Sequence, residues 1–316
     1  MNARSVWLLT DASMDAHHSH GHPERPERRD AVVAGVRDAA GPDVMDVACE
    51  PAPEEDIVAI HDPAYLDRLH DADRRGGWLD PDTYVAPGSL NAAFLAAGAT
   101  RQAALAVAEG QAEIAFAAVR PPGHHAAAAR GSGFCLLNNV AIAVAALRAA
   151  GRAERVAIVD WDVHHGDGTQ AIFDADPDLC YASTHQAPFY PGTGASTDRG
   201  LGAAAGTKHN VPLAAGSGDA EFVAAWTDTL LPAVEAFRPE AIIVSAGFDA
   251  HGADPLAGLE VSEEGYRAVA SALGAVSRRL ALNGIALTLE GGYDLPALRA
   301  SAAATVTGLR AGRRPG

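Results

Sequence analysis

Short runs of consecutive apolar residues recur along the chain, separated by longer segments in which apolar positions are interleaved with polar ones. The runs SVWLL (5–9), EIAFAAV (113–119), RVAIVD (155–160), DLCYAST (178–184), EAIIVSAG (240–247) and GIALTLEGG (284–292) are bounded by turn residues and are too short for typical helices. They predict buried strands. Helices are predicted over 90–110, over 138–151 with Asn138 or Asn139 as N-cap and Gly151 as the stop, over 219–237 with a kink at its proline, and over 262–281. Strand and helix alternate almost throughout. That order predicts an α/β fold, a mostly parallel β-sheet sandwiched by helices, formed as one domain over residues 1–316.

The chain has 316 residues, 48% of them hydrophobic and 20% charged, with a formal net charge of −16. An acidic surface argues against nucleic-acid binding, which needs a basic footprint. Cys49, Cys135 and Cys180 are far apart and form no CxxC pair, so a disulfide framework is not expected and a reducing compartment is the default. No apolar run approaches the length of a membrane span, and the apolar stretch near the N-terminus is too short for a secretory signal. The expectation is a soluble, cytoplasmic protein. Lys208 is the only lysine.

In open α/β sheets, ligands bind beyond the carboxyl ends of the strands. Four predicted strands end in chemistry: RPPGHH with His124 and His125, DWDVHHGDG with Asp160, Asp162, His164, His165 and Asp167, SAGFDAH with Asp249, and EGGYD with Glu290, Tyr293 and Asp294. Asp162 and His164 are two residues apart and face the same side of an extended segment. With Asp249 they make three N/O ligands and leave an open position, the pattern of a catalytic metal site. Zn²⁺ suits that set, as do Fe²⁺ and Mn²⁺. His124 and His125 offer a general base. Asp160 and Asp167 can accept the far N–H of those imidazoles. Tyr293, behind Gly291 and Gly292, can donate to a developing oxyanion. Together these parts describe hydrolysis of an amide or ester.

The motifs HPERPER (22–28), DTYVAPGS (82–89), RPPGHH (120–125), GFCLLNN (133–139), DWDVHHGDGTQ (160–170), FYPGTG (189–194), NVPL (210–213), SAGFDAHGADPLAGL (245–259) and EGGYD (290–294) stand in an order that resembles the histone deacetylase family. That superfamily includes acetylpolyamine amidohydrolases and acetoin-utilisation proteins, and the wording here is closest to class II and bacterial members. The resemblance implies Asp162, His164 and Asp249 as ligands of one zinc. It implies His125 as base and then acid, paired with Asp167, and an electrostatic His124 paired with Asp160. Tyr293 would polarise the acetyl carbonyl. Gly133, Phe134 and Tyr190 would line a channel for an acetyl-lysine-like stem, Asp82 would bind substrate at the mouth, and Arg28 would line an acetate-release passage.

The resemblance also implies a structural K⁺ held by Asp160, Asp162, His164, Ser183 and Thr184, and a second K⁺ on carbonyls around Phe173, Asp176 and Leu179. Tyr190 stands where many members have Phe. Leu256 occupies the position of an acidic gatekeeper in the polyamine-selective branch, which argues against polyamine selection of that type. The expected substrate is an acetylated protein, peptide or small amine. A binuclear ureohydrolase would need a D-x-D where this chain reads Asp249-Ala250-His251, and a mere binder of acetylated ligands would lack one of the catalytic groups. His165 and Cys135 are read as structural. His17, His18, His20 and His22 are read as a rim loop in which only His22 has a structural part.

Overall fold

The computed structural model describes residues 6–314. Ser5, with which the first expected strand begins, lies outside the described residues, as do the two extremities of the 1–316 span. The strands are β1 (Val6–Leu9), β2 (Val44–Val47), β3 (Gly77–Trp78), β4 (Tyr84–Val85), β5 (Ile114–Ala117), β6 (Val156–Asp160), β7 (Leu179–Gln186), β8 (Lys208–Leu213), β9 (Ala241–Ala246) and β10 (Ile285–Leu289). Eight of them form one sheet in the order β2-β1-β5-β10-β9-β6-β7-β8, every pair parallel. β3 and β4 make a separate antiparallel pair.

The helices are α1 (Glu27–Ala40), α2 (Glu54–Val58), α3 (Pro63–Arg75), α4 (Ser89–Ala108), α5 (Asn139–Ala149), α6 (Asp167–Phe173), α7 (Asp219–Ala224), α8 (Leu231–Phe237), α9 (Glu263–Arg279) and α10 (Leu295–Arg313). Alternate side chains of each central strand enter opposite layers. Phe116, Val159, Val244 and Leu287 join a core with α1, α9 and α10. Ala115, Ala117, Ile158, Ile243 and Ala286 join a core with α4 and α5. Burial on both faces is why these strands read as unbroken apolar runs. The small residues Ala115, Ala117 and Ala286 let the Ala-rich α4 lie close to the sheet.

Local chemistry sets several boundaries. Asn138 caps α5, its side chain accepting the Ala141 N–H at 3.0 Å, and Gly151 beyond the helix has φ +62°. The expected kinked helix over 219–237 is α7, a π-helical turn over Ala225–Leu230, and α8 with Pro232 in its first turn. The wider turn accommodates the proline, which cannot donate to the ladder. The two edge strands, β2 and β8, were absent from the strand pattern. β2 is half-exposed, and β8 contains Lys208, His209, Asn210 and Pro212, a composition tolerated where only one neighbour must be paired.

Candidate active site

The four chemistry-bearing segments follow β5, β10, β9 and β6, which are four consecutive neighbours in the sheet. Their ends open into a cavity of about 240 Å³. It is lined by Asp162, His164, Gly291 and Tyr293, by His124 and His125, by Gly133, Phe134, Phe189 and Tyr190, and by Asp82, Pro122 and Leu256.

Asp162, His164 and Asp249 converge. One ligand atom of each lies within 4.8 Å of the others, and His164 Nδ1 is 3.1 Å from Asp162 Oδ1 and 3.2 Å from Asp249 Oδ2. Each carboxylate is anchored by its other oxygen. Asp162 Oδ2 accepts the Gly291 N–H at 2.7 Å, and Asp249 Oδ1 accepts the Val163 N–H at 2.9 Å. Asp249 Oδ2 is buried without a hydrogen-bond donor. Two buried carboxylates, one of them carrying an orphaned oxygen that faces an imidazole, form a donor set that fits a divalent cation. Against the pull of burial, Asp162 and Asp249 push the His164 imidazole up to about 10, as expected where positive charge is wanted. A Cβ on Gly291 would collide with both carboxylates, so only glycine lets the backbone approach.

The two histidines beside this cluster are each paired with a carboxylate. His124 Nδ1 is 3.1 Å from Asp160 Oδ2, and its Nε2 is 3.8 Å from Asp162 Oδ1. Burial opposes charge on His124, but Asp162 and Asp160 hold its pKa well above the usual value. His125 Nδ1 is 2.8 Å from Asp167 Oδ1. Burial and then the neighbouring His124 push His125 down to about 3. A neutral His125 donating from Nδ1 keeps Nε2 free to accept a proton.

Tyr293 is buried, which holds its phenol well above the usual range and therefore protonated. Its N–H donates to Asp254 Oδ2 at 2.6 Å, its ring meets Phe134 edge-on at 5.9 Å, and the Arg28 guanidinium lies 4.7 Å over its face. Gly292, at φ +117°, makes the turn that brings Tyr293 into the cavity. The walls are aromatic: Phe189 stacks on His164 at 5.3 Å, and Tyr190 meets His125 at 5.1 Å. Gly133 and Phe134 both have positive φ, +55° and +69°; a Cβ on Gly133 would enter the His125 ring.

Among the other expected residues, Arg28 is fully buried and lies outside the cavity lining. It donates to the carbonyls of Gly292, at 2.5 Å, and Glu290. Asp160, Ser183 and Ser245 lie side by side in the sheet register. Thr184 Oγ1 accepts from Trp226 Nε1. His165 turns away from the ligand cluster to Thr193 and Gln170. His251 points to Glu263.

At two of the residues expected around a second K⁺, Lys208 Nζ donates to Asp176 O at 3.1 Å and Leu179 O at 2.8 Å, and it also donates to Thr207 Oγ1 at 2.7 Å. Phe173 O accepts the Asp176 N–H instead. One expectation is corrected: His17 has a structural part alongside His22. It is buried, bonded to Ser89 Oγ at 2.7 Å and stacked on Tyr84, while His22 bonds to Asp82 O.

Residues missed from the sequence include Phe189, whose neighbour Tyr190 was the signal available. Glu24 was also missed. It is buried between Arg28 and Arg120, and the Glu24–Arg28 spacing of one helical turn was its only trace. Asp254, which accepts from the amides of Tyr293 and Leu256, and Arg130, 3.1 Å from Asp167 Oδ2, had no local signature.

The histone deacetylase domain profile matches residues 22–309. A protein of Archaeoglobus fulgidus named "Probable deacetylase" is 40% identical over 280 residues, spanning 87% of this chain and 77% of that one. The "Histone deacetylase-like amidohydrolase" of Pseudomonas aeruginosa is 38% identical over 278 residues, spanning 87% and 73%. The crystal structure of the HDA15 HD domain superposes with a TM-score of 0.91 at 35% identity, covering 99% of this chain and 90% of that one. With its catalytic-type strand ends gathered in one cavity, the chain belongs to the histone deacetylase family of deacetylases and amidohydrolases.

Proposed function

We propose that the whole chain is one deacetylase domain that hydrolyses N-acetyl amides of primary amines, acetyl-lysine side chains foremost, with Zn²⁺ (or Fe²⁺) bound by Asp162, His164 and Asp249. The observation that carries this reading is the clustering of Asp162, His164 and Asp249 beside a cavity that is also lined by His125, paired with Asp167, and by Tyr293. The bound metal supplies Lewis acidity toward the amide carbonyl and a lowered pKa for water.

The protein's own groups do the rest. The aromatic walls of Phe134, Phe189 and Tyr190 hold the aliphatic stem and exclude water from it, and Asp82 accepts hydrogen bonds from the substrate at the mouth. Tyr293 donates its hydroxyl to the acetyl oxygen as negative charge develops there. His125 takes a proton from water at Nε2, then returns it to the amine nitrogen as the C–N bond breaks; with the second proton of the water also passing to that nitrogen, water and amide become acetate and an ammonium product. Asp167 keeps its imidazole in the required tautomer. His124, between Asp160 and Asp162, adds positive charge beside the reacting carbonyl. A structural K⁺ on Asp160, Asp162, His164, Ser183 and Thr184 belongs to the same reading, as does a cytoplasmic location. Among the described residues no helix is long and apolar enough to cross a membrane.

The test is kcat/KM of zinc-loaded protein on an acetyl-lysine peptide and on an acetylated diamine, with Tyr293→Phe as background. Loss of about 10²–10³-fold in kcat is expected for that variant, and a preference for the peptide is expected, because Leu256 places no carboxylate where a free cation would be read. A preference for the diamine would assign the chain to acetylpolyamine hydrolysis. Equal rates for wild type and Tyr293→Phe would favour a binder without turnover.

A further inference from the structure

Two carboxylates of the four strand ends have no part in the hydrolysis described above: Asp294, which caps α10 by accepting the Ala297 N–H, and Glu290. It follows β10 and is completely buried, and it lies outside the cavity lining. Its Oε2 accepts the N–H of Gly123 at 2.7 Å and the N–H of His124 at 3.1 Å. Its Oε1 accepts the hydroxyl of Ser245, on β9, at 3.1 Å. Its main chain is held as well, the N–H on Ala246 O at 3.2 Å and the carbonyl by Arg28. One side chain therefore ties the loop after β5 to the ends of β9 and β10.

That loop carries both histidines. On its other side it is held by α6, through the Thr169 N–H on His124 O at 3.0 Å, and by the Asn138 side chain on Ala126 O at 2.9 Å. These contacts keep the loop in place without Glu290, but they approach from the side of the helices. Only the Glu290 carboxylate reaches the Gly123 and His124 amides from the sheet. The His124 ring must stay within reach of Asp160 on one nitrogen and Asp162 on the other, and the His125 ring must meet Asp167. A small rotation of the Gly123–His124 peptide would move both rings.

We propose that Glu290 is a positioning residue for the hydrolysis: its hydrogen bonds to the Gly123 and His124 amides fix the two imidazoles against the carboxylates that orient them. The proposal rests on the deacetylase reading for its kinetic consequence and on geometry for its cause. What is required is an acceptor oxygen, not a negative charge, so glutamine serves and an apolar side chain of similar size does not.

The test compares wild type, Glu290→Gln, Glu290→Met and Ser245→Ala, all zinc-loaded. It measures kcat and KM on an acetyl-lysine peptide, bound zinc, and the imidazole ¹⁵N shifts of His124 and His125. Glu290→Met is expected to lower kcat by about 10–100-fold with KM and bound zinc unchanged, and to shift both imidazole signals. Glu290→Gln is expected to restore kcat and the shifts. Wild-type kcat and unmoved imidazole signals in Glu290→Met would overturn the proposal. So would a Glu290→Gln variant as slow as Glu290→Met, which would assign the effect to charge. If Glu290→Met does not fold, Glu290→Gln and Ser245→Ala decide: near-normal turnover in the first with a partial loss of kcat in the second supports the proposal, and the reverse order overturns it. A wild type that turns over no substrate sinks the deacetylase reading by itself, while the imidazole shifts still judge the positioning.

Discussion

The ammonium of Lys208 rests 2.8 Å from the carbonyl oxygen of Leu179. The chain's only lysine is thus buried at the start of its own strand β8 and closes the gap between the end of α6 and the start of β7. Hydrogen bonds to a charged donor contribute about 1.5–3 kcal/mol each, so Lys208→Ala should lower the melting temperature. The emptied carbonyl cage should then accept a monovalent cation, and added KCl should recover part of the loss beyond any recovery shown by wild type. Identical KCl responses in the two proteins would mean that Lys208 acts only by packing.

Asp249→Ala should lose bound zinc and activity together. Its Oδ2 faces His164 without another partner, and removing one of three ligands leaves too few for a catalytic site. Metal analysis by inductively coupled plasma spectrometry checks this. Stoichiometric zinc in the purified variant would contradict the ligand assignment.

His125→Ala should behave in the opposite way, keeping zinc while turnover falls by about 10²–10⁴-fold. His125 approaches Asp167, not the ligand carboxylates. Near-normal rates would remove it from proton transfer.

Acid should destabilise the fold through His61. Its Nε2 accepts the Asn138 N–H at 2.9 Å, and burial pushes the imidazole from 6.5 down to about 4. Below pH 6.5 the unfolded chain takes up a proton that the folded chain refuses, so stability is complete above that pH and falls as the pH approaches 4. The loss attributable to this group is about 2–3 kcal/mol across that window. Urea midpoints measured at pH 7 and pH 5 should fall less for His61→Gln, which keeps an acceptor and cannot titrate. Parallel curves would exclude His61 as a source.

Much of this protein was readable from local pattern. Strands buried on both faces must be apolar at every position, so β5, β6, β9 and β10 appear as runs, and the polar residues that follow them stand out. The pair Asp162 and His164 is legible because an extended backbone puts i and i+2 on one side. Asn138 announces a helix start because its side chain caps the backbone next to it.

Other features depend on which segments meet. The edge strands β2 and β8 are strands because a neighbour pairs with them, and half-exposed or proline-bearing sequence does not declare that. Sequence could not say that four particular strand ends are adjacent in the sheet. Nor could it say that Asp254 would hold the Tyr293 amide, that Glu290 would reach back to Gly123, or that Lys208 would reach the Leu179 carbonyl. Each of those contacts joins residues about 30 or more positions apart. The sequence by itself determined the elements and the types of group at their ends, since propensity, periodicity and capping are local. Only the tertiary structure decided which buried polar atoms would satisfy one another, because a buried donor or acceptor takes its partner from whatever segment packing brings within reach.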